Sequence, residues 1–573
     1  MDIESYMCWD ESSEPPKHIK IPRSQVTPEF IARIRHLRAL NRQRQACVPD
    51  TKHEFIRRRL LELPTAQSSN KGDDTCSTQE KKGQGKDSTG YRDVKLMTYN
   101  MLAQTLIRRG VFPGAKDAVK WSNRSVVIVN EIKYYDCDVL CLQEVDASKW
   151  DPFWVPRLRE LGYEGKLYRG PTRKVHGVAI FWKRDVFECV NYLEVNMDGE
   201  VARSDDNGIE IRARTGTKSV CLMTALKFRG IKDNQRQGLI VGTTHLFWHL
   251  FGSFDRMRQL FVILKKFKEF TRMVDPGSDG VESRWLTFLT GDFNSEPCDP
   301  PYESIVCKPV RFKGHKRALL ACSLAYRYSI RRNSILIREL EEREEHTNVW
   351  NPLRARNKEE NDADNVFSDE SAIDNSDDDD DNDDVITTDS RLAGESRVGP
   401  RTTENLRNGR MEKKGRNGRE KEVEEIYPNQ PTNPHPETFE ETPEQTKLID
   451  NMITLHNSIN LRAISLYSLG YRKVHPANVV LDKSYHGEPE ISHIAIGWSG
   501  LLDYMFLITG WDGAQVPEVG DQTLSEVEKT NRFQLLGLLR MPRRDEMPKH
   551  TQPHQGEYAS DHLSMVASLR IEL

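Results

Sequence analysis

Five short segments, far apart in the chain, each place a polar residue at the end of an apolar run: Met97-Thr98-Tyr99-Asn100, Leu142-Gln143-Glu144, Gly242-Thr243-Thr244-His245, Thr290-Gly291-Asp292-Phe293-Asn294 and Tyr558-Ala559-Ser560-Asp561-His562. The runs Val94 to Met97, Asp138 to Leu142, Leu239 to Val241 and Trp285 to Leu289 are short and rich in Val, Leu, Ile or aromatic residues, which predicts buried strands. Their polar tips then gather at one sheet edge. A carboxylate there is costly to desolvate unless it is paired or holds a metal, and Glu144, Asp292, Asp503 and Asp561 all stand in such positions. Hard oxygen donors without clustered cysteines favour Mg²⁺ or Mn²⁺ over Zn²⁺.

Each residue suggests a role by its own chemistry. Glu144 is the best single Mg²⁺ ligand, because Mg²⁺ is usually held by one or two carboxylates plus phosphate oxygens and water. Asn100 offers a neutral amide that can orient a ligand or donate to a phosphate. Asp292 and Asn294 are two apart at an expected strand end, so both side chains are expected on one side, the carboxylate to polarise water and the amide to meet charge on phosphorus. Asp561 and His562 are expected on a loop before a strand Leu563 to Leu573. Asp503, within Leu501-Leu502-Asp503-Tyr504-Met505-Phe506, needs a partner if buried, and His562 is the natural one, since a carboxylate fixes an imidazole's tautomer and orientation. His245 reads as a second phosphate contact. Taken singly, each position has a plain structural reading: a turn-capping carboxylate, a satisfied histidine, an Asn in a turn. Phe247, Trp248 and Trp498 read either as core filling or as platforms for a base. The joint order of the motifs is what favours a site.

That order, Asn, Gln-Glu, Thr-His, Gly-Asp-Phe-Asn, Asp-Tyr, Ser-Asp-His, resembles the endonuclease/exonuclease/phosphatase superfamily that includes pancreatic deoxyribonuclease and the abasic-site endonucleases, over residues 91–573. Thr98 to Ala103, Thr244-His245-Leu246 and Tyr558 to His562 resemble the branch of the deadenylases and nocturnin, and within it the fungal RNA exonuclease type that trims the 3′ end of 5.8S ribosomal RNA. The resemblance implies an α/β fold of the deoxyribonuclease-like kind, a four-layer αββα sandwich of two packed mixed sheets flanked by helices, with the site at the top. It implies Glu144, Asn100 and Asp561 near a metal, His245, Asn294 and His562 at the phosphate, and Asp292 and Asp503 as orienting carboxylates. It implies an Mg²⁺-dependent 3′-to-5′ exoribonuclease releasing 5′ mononucleotides, acting in ribosomal RNA maturation with pre-ribosomal particles as partners. A poly(A) deadenylase and a phosphodiesterase or phosphatase on other phosphoesters stay open. Two departures weaken the deadenylase reading: Phe247-Trp248-His249-Leu250-Phe251 follows Leu246 without the histidine-tryptophan-any-proline continuation, and Glu490-Ile491-Ser492-His493 replaces a threonine-asparagine-tyrosine stretch. No leucine-rich repeat precedes residue 91, so the scaffold that seats the large deadenylase in its complex is not expected.

Charge divides the chain further. Residues 357–447 hold 12 Lys/Arg against 26 Asp/Glu, including Asp377 to Asp381, and read as a disordered charged insertion inside the catalytic domain. Residues 1–90 read as an N-terminal extension. Within it Phe30, Ile31, Ile34, Leu37 and Leu40 recur at helical spacing after Thr27-Pro28, and Arg57-Arg58-Arg59 reads as an RNA guide or a nuclear address. The remaining core carries 55 Lys/Arg and 48 Asp/Glu, a mild excess that suits a polyanionic substrate. Ten cysteines without a Cys-x-x-Cys pair indicate a reducing compartment, nucleus or cytoplasm. No apolar stretch approaches membrane-spanning length, so no membrane association is expected. Helices are expected at Trp121 to Tyr135 and Phe254 to Met273.

Overall fold

The central strands are apolar at consecutive positions because both of their faces are covered. The computed structural model describes residues 53–64, 90–328, 431–516 and 524–573, apart from short interruptions, and a few positions between 29 and 36. With strands numbered in chain order, the first sheet runs β1 (Leu60–Glu62), β16 (Phe533–Leu539), β17 (Met565–Glu572), β2 (Tyr91–Asn100), β3 (Val139–Asp146), β5 (His176–Lys183), β4 (Tyr163–Tyr168). The second runs β12 (Leu461–Ser465), β15 (Asp503–Gly510), β11 (Trp285–Asp292), β10 (Gly238–His245), β9 (Val220–Phe228), β6 (Phe187–Asn196). Two small ladders, β7 (Ala202–Arg203) with β8 (Glu210–Ile211) and β13 (His493–Ala495) with β14 (Trp498–Gly500), lie outside them.

The period of two along each strand sorts its side chains into different cores. Leu96, Val139, Cys141, Leu239, Val241 and Phe288 meet between the sheets. Their neighbours Met97, Leu140 and Leu142 turn outward onto Ile128 and Ile132 of the helix Trp121–Tyr135. On the far side Ile240, Leu289 and Phe506 pack on Leu260, Ile263 and Phe267 of the helix Ser253–Val274. This is the expected four-layer αββα sandwich. Each of these helices also connects a parallel strand pair, β2–β3 and β10–β11, as a crossover must.

The register brings the motifs together. Parallel β10 and β11 set His245 beside Asp292, antiparallel β15 sets Asp503 across from Asp292, and antiparallel β17 sets Met565 across from Thr98. The ends of β2, β10 and β11 and the starts of β15 and β17 therefore open at one edge.

Three boundaries differ from the sequence expectation. β1 pairs with β16 and Leu63 is buried between the sheets, so residues 53–64 belong to the sandwich rather than to an extension ending at residue 90. The short run Leu60 to Leu63 gave too little periodicity to be read as a strand. Residues 431–447 are also ordered into the fold: Glu441 takes a two-pronged ion pair from Arg317 at 2.7 Å on each arm, and Thr442 with Gln445 forms a capping box at the start of the helix Pro443–Ser458. The rest of the acidic stretch, and the apolar positions of the N-terminal candidate helix, lie outside the described residues. The last strand begins at Met565 rather than Leu563. Among the described residues no helix is long and apolar enough to cross a membrane.

Candidate active site

One side-chain nitrogen links the site. Asn100, the last residue of β2, points Nδ2 at Asp292 Oδ2 (2.9 Å), Glu144 Oε1 (3.4 Å) and His562 Nε2 (3.4 Å), while its Oδ1 accepts from the Leu102 amide. Asn100, Asp292, Asp503 and His562 are buried. Four of the strand-end motifs thus converge on one amide.

Backbone geometry aims the carboxylates. Glu144 sits on a bulge of β3 between Leu142 and Val145 at φ +56°, a left-handed conformation that is costly for a residue with a side chain. The bulge turns the carboxylate inward, where Oε2 accepts from the Ala103 amide at 2.8 Å. Gly291 has φ +138°, and a Cβ there would stand 2.0 Å from the Thr244 carbonyl oxygen, so glycine is what lets β11 run this close to β10. Asn294 is not the strand neighbour that alternation predicted: β11 ends at Asp292, and Asn294 turns at φ +47°. Its amide N–H bonds Asp292 Oδ1 (2.9 Å) and its Nδ2 donates to the Leu246 carbonyl (3.0 Å). It still stands in the site, held by different contacts.

His562 is the best-determined ring. Its Nδ1 donates to Asp503 Oδ2 at 2.8 Å, and its Nε2 faces Asp292 Oδ2 at 3.5 Å. Asp503 is braced by the Ser492 hydroxyl (2.7 Å), which in turn accepts from the Leu502 and Asp503 amides. Burial works against charge on His562, but Asp503 and Asp292 lift it to about 10, so the ring is an imidazolium at neutral pH. His245 behaves oppositely. It lies 3.7 Å from Asp292 Oδ2 and 4.0 Å from Glu144 Oε1, yet burial holds it at about 4, and it is neutral.

The remaining carboxylates differ in how far their charge is compensated. Burial, reinforced by Asp561, pushes Glu144 up to about 7. Burial also opposes the charge of Asp561, which the His493 contact at 3.6 Å and the nearby His562 nevertheless hold at about 2. No lysine or arginine forms an ion pair with Glu144, Asp292 or Asp561 among the described residues. Buried carboxylates in that condition fit a divalent cation: Glu144 and Asp561 supply hard anionic oxygens and Asn100 a neutral amide beside them. Trp498, on β14, keeps 43% of its surface exposed and lines a cavity of about 680 Å³ with Tyr485, Ile494, Arg544 and Lys549. Phe247 is buried in contrast and fills space.

Sequence reasoning missed four contributors. Arg124, on the helix Trp121–Tyr135 and fully buried, donates to the carbonyls of Met101, Leu102 and Ala559 and to Gln104 Oε1. It ties the loop after β2 to the loop before β17. Arg58, expected from the sequence in an RNA guide or nuclear address, is buried instead and reaches Ser564 through two 2.7 Å bonds, and Ser564 bonds Glu131. Ser492 orients Asp503, and the His493 ring lies 4.4 Å from that of His562. The one available signal was Arg124 itself, a cation amid the apolar positions Val127, Ile128 and Ile132.

Comparison with known proteins agrees with this geometry. The profile of the Endonuclease/Exonuclease/phosphatase family matches residues 97–338. The RNA exonuclease NGL2 of Saccharomyces cerevisiae is 39% identical over 568 residues, covering 96% of this chain and 90% of that protein. The probable RNA exonuclease NGL3 of the same yeast is 35% identical, covering 98% and 93%. Among solved structures, ANGEL2, a 2′,3′-cyclic phosphatase, is similar over 84% of this chain and 97% of its own at 18% identity and a TM-score of 0.45. With near end-to-end similarity to NGL2 and the motifs meeting at Asn100, this chain belongs to the endonuclease/exonuclease/phosphatase family.

Proposed function

We propose that the chain is a divalent-metal-dependent 3′-to-5′ exoribonuclease that hydrolyses RNA to 5′ mononucleotides. As a member of a hydrolytic family with its polar set in place, it is an enzyme, and that family is generally dependent on a divalent metal. The observation that carries the reading is the single Asn100 amide within 3.4 Å of Glu144, Asp292 and His562. The names of the relatives, an RNA exonuclease and a probable RNA exonuclease similar over nearly the whole chain, support RNA and exonucleolytic action.

The roles follow from charge. Glu144, with Asn100 and Asp561 beside it, would hold the cation, most simply Mg²⁺ by the hardness of these oxygens, and that ion would supply Lewis-acid polarisation of the phosphate and offset charge at the leaving oxygen. His562, charged and fixed by Asp503, donates to a phosphate oxygen and stabilises the charge that builds in the transition state. Asp292 stands 3.5 Å from the His562 ring nitrogen and faces the place of the attacking water, so it orients and polarises that water. His245, neutral, contacts the phosphate by one N–H. Asn294 is positioned by the Leu246 carbonyl to meet the same oxygens. Trp498 stacks a terminal base.

The substrate is an RNA 3′ end, with ribosomal RNA precursors and pre-ribosomal particles the proposed context, in the nucleus or cytoplasm. The test is digestion of 5′-labelled RNA with a free or a blocked 3′ end, beside DNA of the same sequence. A ladder that shortens from a free 3′ end of RNA only supports the proposal; internal cuts, equal cleavage of DNA, or turnover of small phosphoesters alone overturns it.

A further inference from the structure

A second cluster of metal-type donors lies outside this site, on the loop that leads into it. His550, His554 and Glu557 present ligand atoms that all lie within 4.8 Å of one another. His550 Nε2 is 3.0 Å from Glu557 Oε1, and His554 Nδ1 is 3.3 Å from the same oxygen. The two imidazole rings face each other at 4.0 Å between centroids. For metal–ligand bonds of 2.0–2.1 Å in tetrahedral arrangement, neighbouring donors stand about 3.3 Å apart, close to the two imidazole–carboxylate distances of 3.0 and 3.3 Å.

Two details point to a ligand rather than to an ordinary ion pair. His554 Nδ1 is a buried atom with no hydrogen-bond partner, although a carboxylate oxygen lies beside it. The Gln552 amide donates to the other oxygen, Oε2, at 2.5 Å and fixes the carboxylate as outer partners of metal ligands do, with both oxygens 3.0 Å from His550 Nε2 and Oε1 beside His554. The loop is also held in place: the Ile56 amide bonds the Glu557 carbonyl, and His554 N–H bonds the Tyr558 carbonyl. A comparable grouping, Glu303, Cys307 and His486, is already served by the Lys316 ammonium, which bonds Glu303.

We infer that His550, His554 and Glu557 form a binding site for one divalent transition-metal ion of the Zn²⁺ class, separate from the hard-cation site at Glu144. Two imidazole nitrogens and one carboxylate select a borderline-soft ion over Mg²⁺, so the two sites differ in the metal they take. The ion clamps the wall of the cavity. Met547 to Thr551 line it together with Trp498, and Glu557 lies four residues before Asp561, so binding fixes the wall relative to the segment that carries Asp561. The inference does not rest on the substrate proposed above.

The experiment is calorimetric titration of the chelator-treated full-length protein with Zn²⁺ in a large excess of Mg²⁺, which fills the Glu144 site. One Zn²⁺ per chain is expected, unchanged in Glu144→Gln. In His550→Ala and in His554→Ala affinity falls by about tenfold or more, and the rise in melting temperature on adding Zn²⁺ is lost. Melting without Zn²⁺ verifies that each variant is folded; should His554→Ala fail, His550→Ala decides, because its ring is the more exposed. Absence of saturable Zn²⁺ binding in excess Mg²⁺, or equal affinity in the folded histidine variants, overturns the site. So does binding that is lost in Glu144→Gln but kept in His550→Ala.

Discussion

His562 Nδ1 stands 2.8 Å from Asp503 Oδ2, and both side chains are buried. The pair accounts for the charge of the ring that faces Asp292 and, in the proposed mechanism, the phosphate.

Replacing the carboxylate should therefore act through the ring. In Asp503→Asn the His562 titration moves down from about 10 toward the ordinary 6.5, and kcat falls by about 10²-fold or more, as for other orienting carboxylates. The residual activity declines as pH rises through neutrality, whereas the parent enzyme keeps its imidazolium. Because the folded value lies above the unfolded one, the stability this group contributes is present below pH 6.5 and is lost as pH rises toward 10. Imidazole NMR and a pH–rate profile check both effects.

Glu144 acts on stability in the same sense. Its folded value of about 7 exceeds the ordinary 4.5, so in cation-free protein the cost of its charge is absent at low pH and appears between those two values as pH rises. A divalent cation competes with that proton. Added Mg²⁺ should raise the melting temperature more at pH 8 than at pH 5.5, and the difference should vanish in Glu144→Gln. Scanning calorimetry at both pH values measures it.

Arg124 holds three carbonyls and one amide oxygen in a buried position. Arg124→Met leaves these acceptors unsatisfied and should cost roughly 3 kcal/mol, seen as a lower urea midpoint. Activity should drop as well, since the loops bearing Asn100 and Asp561 lose their tie. Lysine, with its single point of charge, should not restore the fork.

Trp498 is half exposed beside the cavity. Trp498→Ala should leave the melting temperature nearly unchanged and raise KM for RNA, by an amount equivalent to about 1–3 kcal/mol for one base stack. Steady-state kinetics separates this from a loss of kcat.

What the sequence discloses and what it hides have different physical sources. The inner and outer faces of β2, β3 and β10 are written in alternate positions such as Leu96 and Met97, and burial forces the outcome. The pairing of Asp503 with His562 was legible because a buried carboxylate in an apolar strand needs a partner. The bulge at Glu144 was not, since one inserted residue leaves no compositional mark, and the same holds for the turn at Asn294, whose contact with Leu246 arises only once β10 and β11 lie side by side. β1 was missed because three residues carry no period, and Arg124 because its partners are backbone carbonyls from Met101 and Ala559, far apart in sequence.

The central claim is that Glu144 and its neighbours form one hydrolytic site acting on RNA. The most direct test is cleavage of 5′-labelled RNA by the intact protein and by Glu144→Ala, each with Mg²⁺ or with EDTA. An Mg²⁺-dependent ladder shortening from the 3′ end, abolished by EDTA and reduced by at least about 10³-fold in Glu144→Ala, is the predicted result. Cleavage that survives the substitution, or none by the intact protein with Mg²⁺, would contradict it.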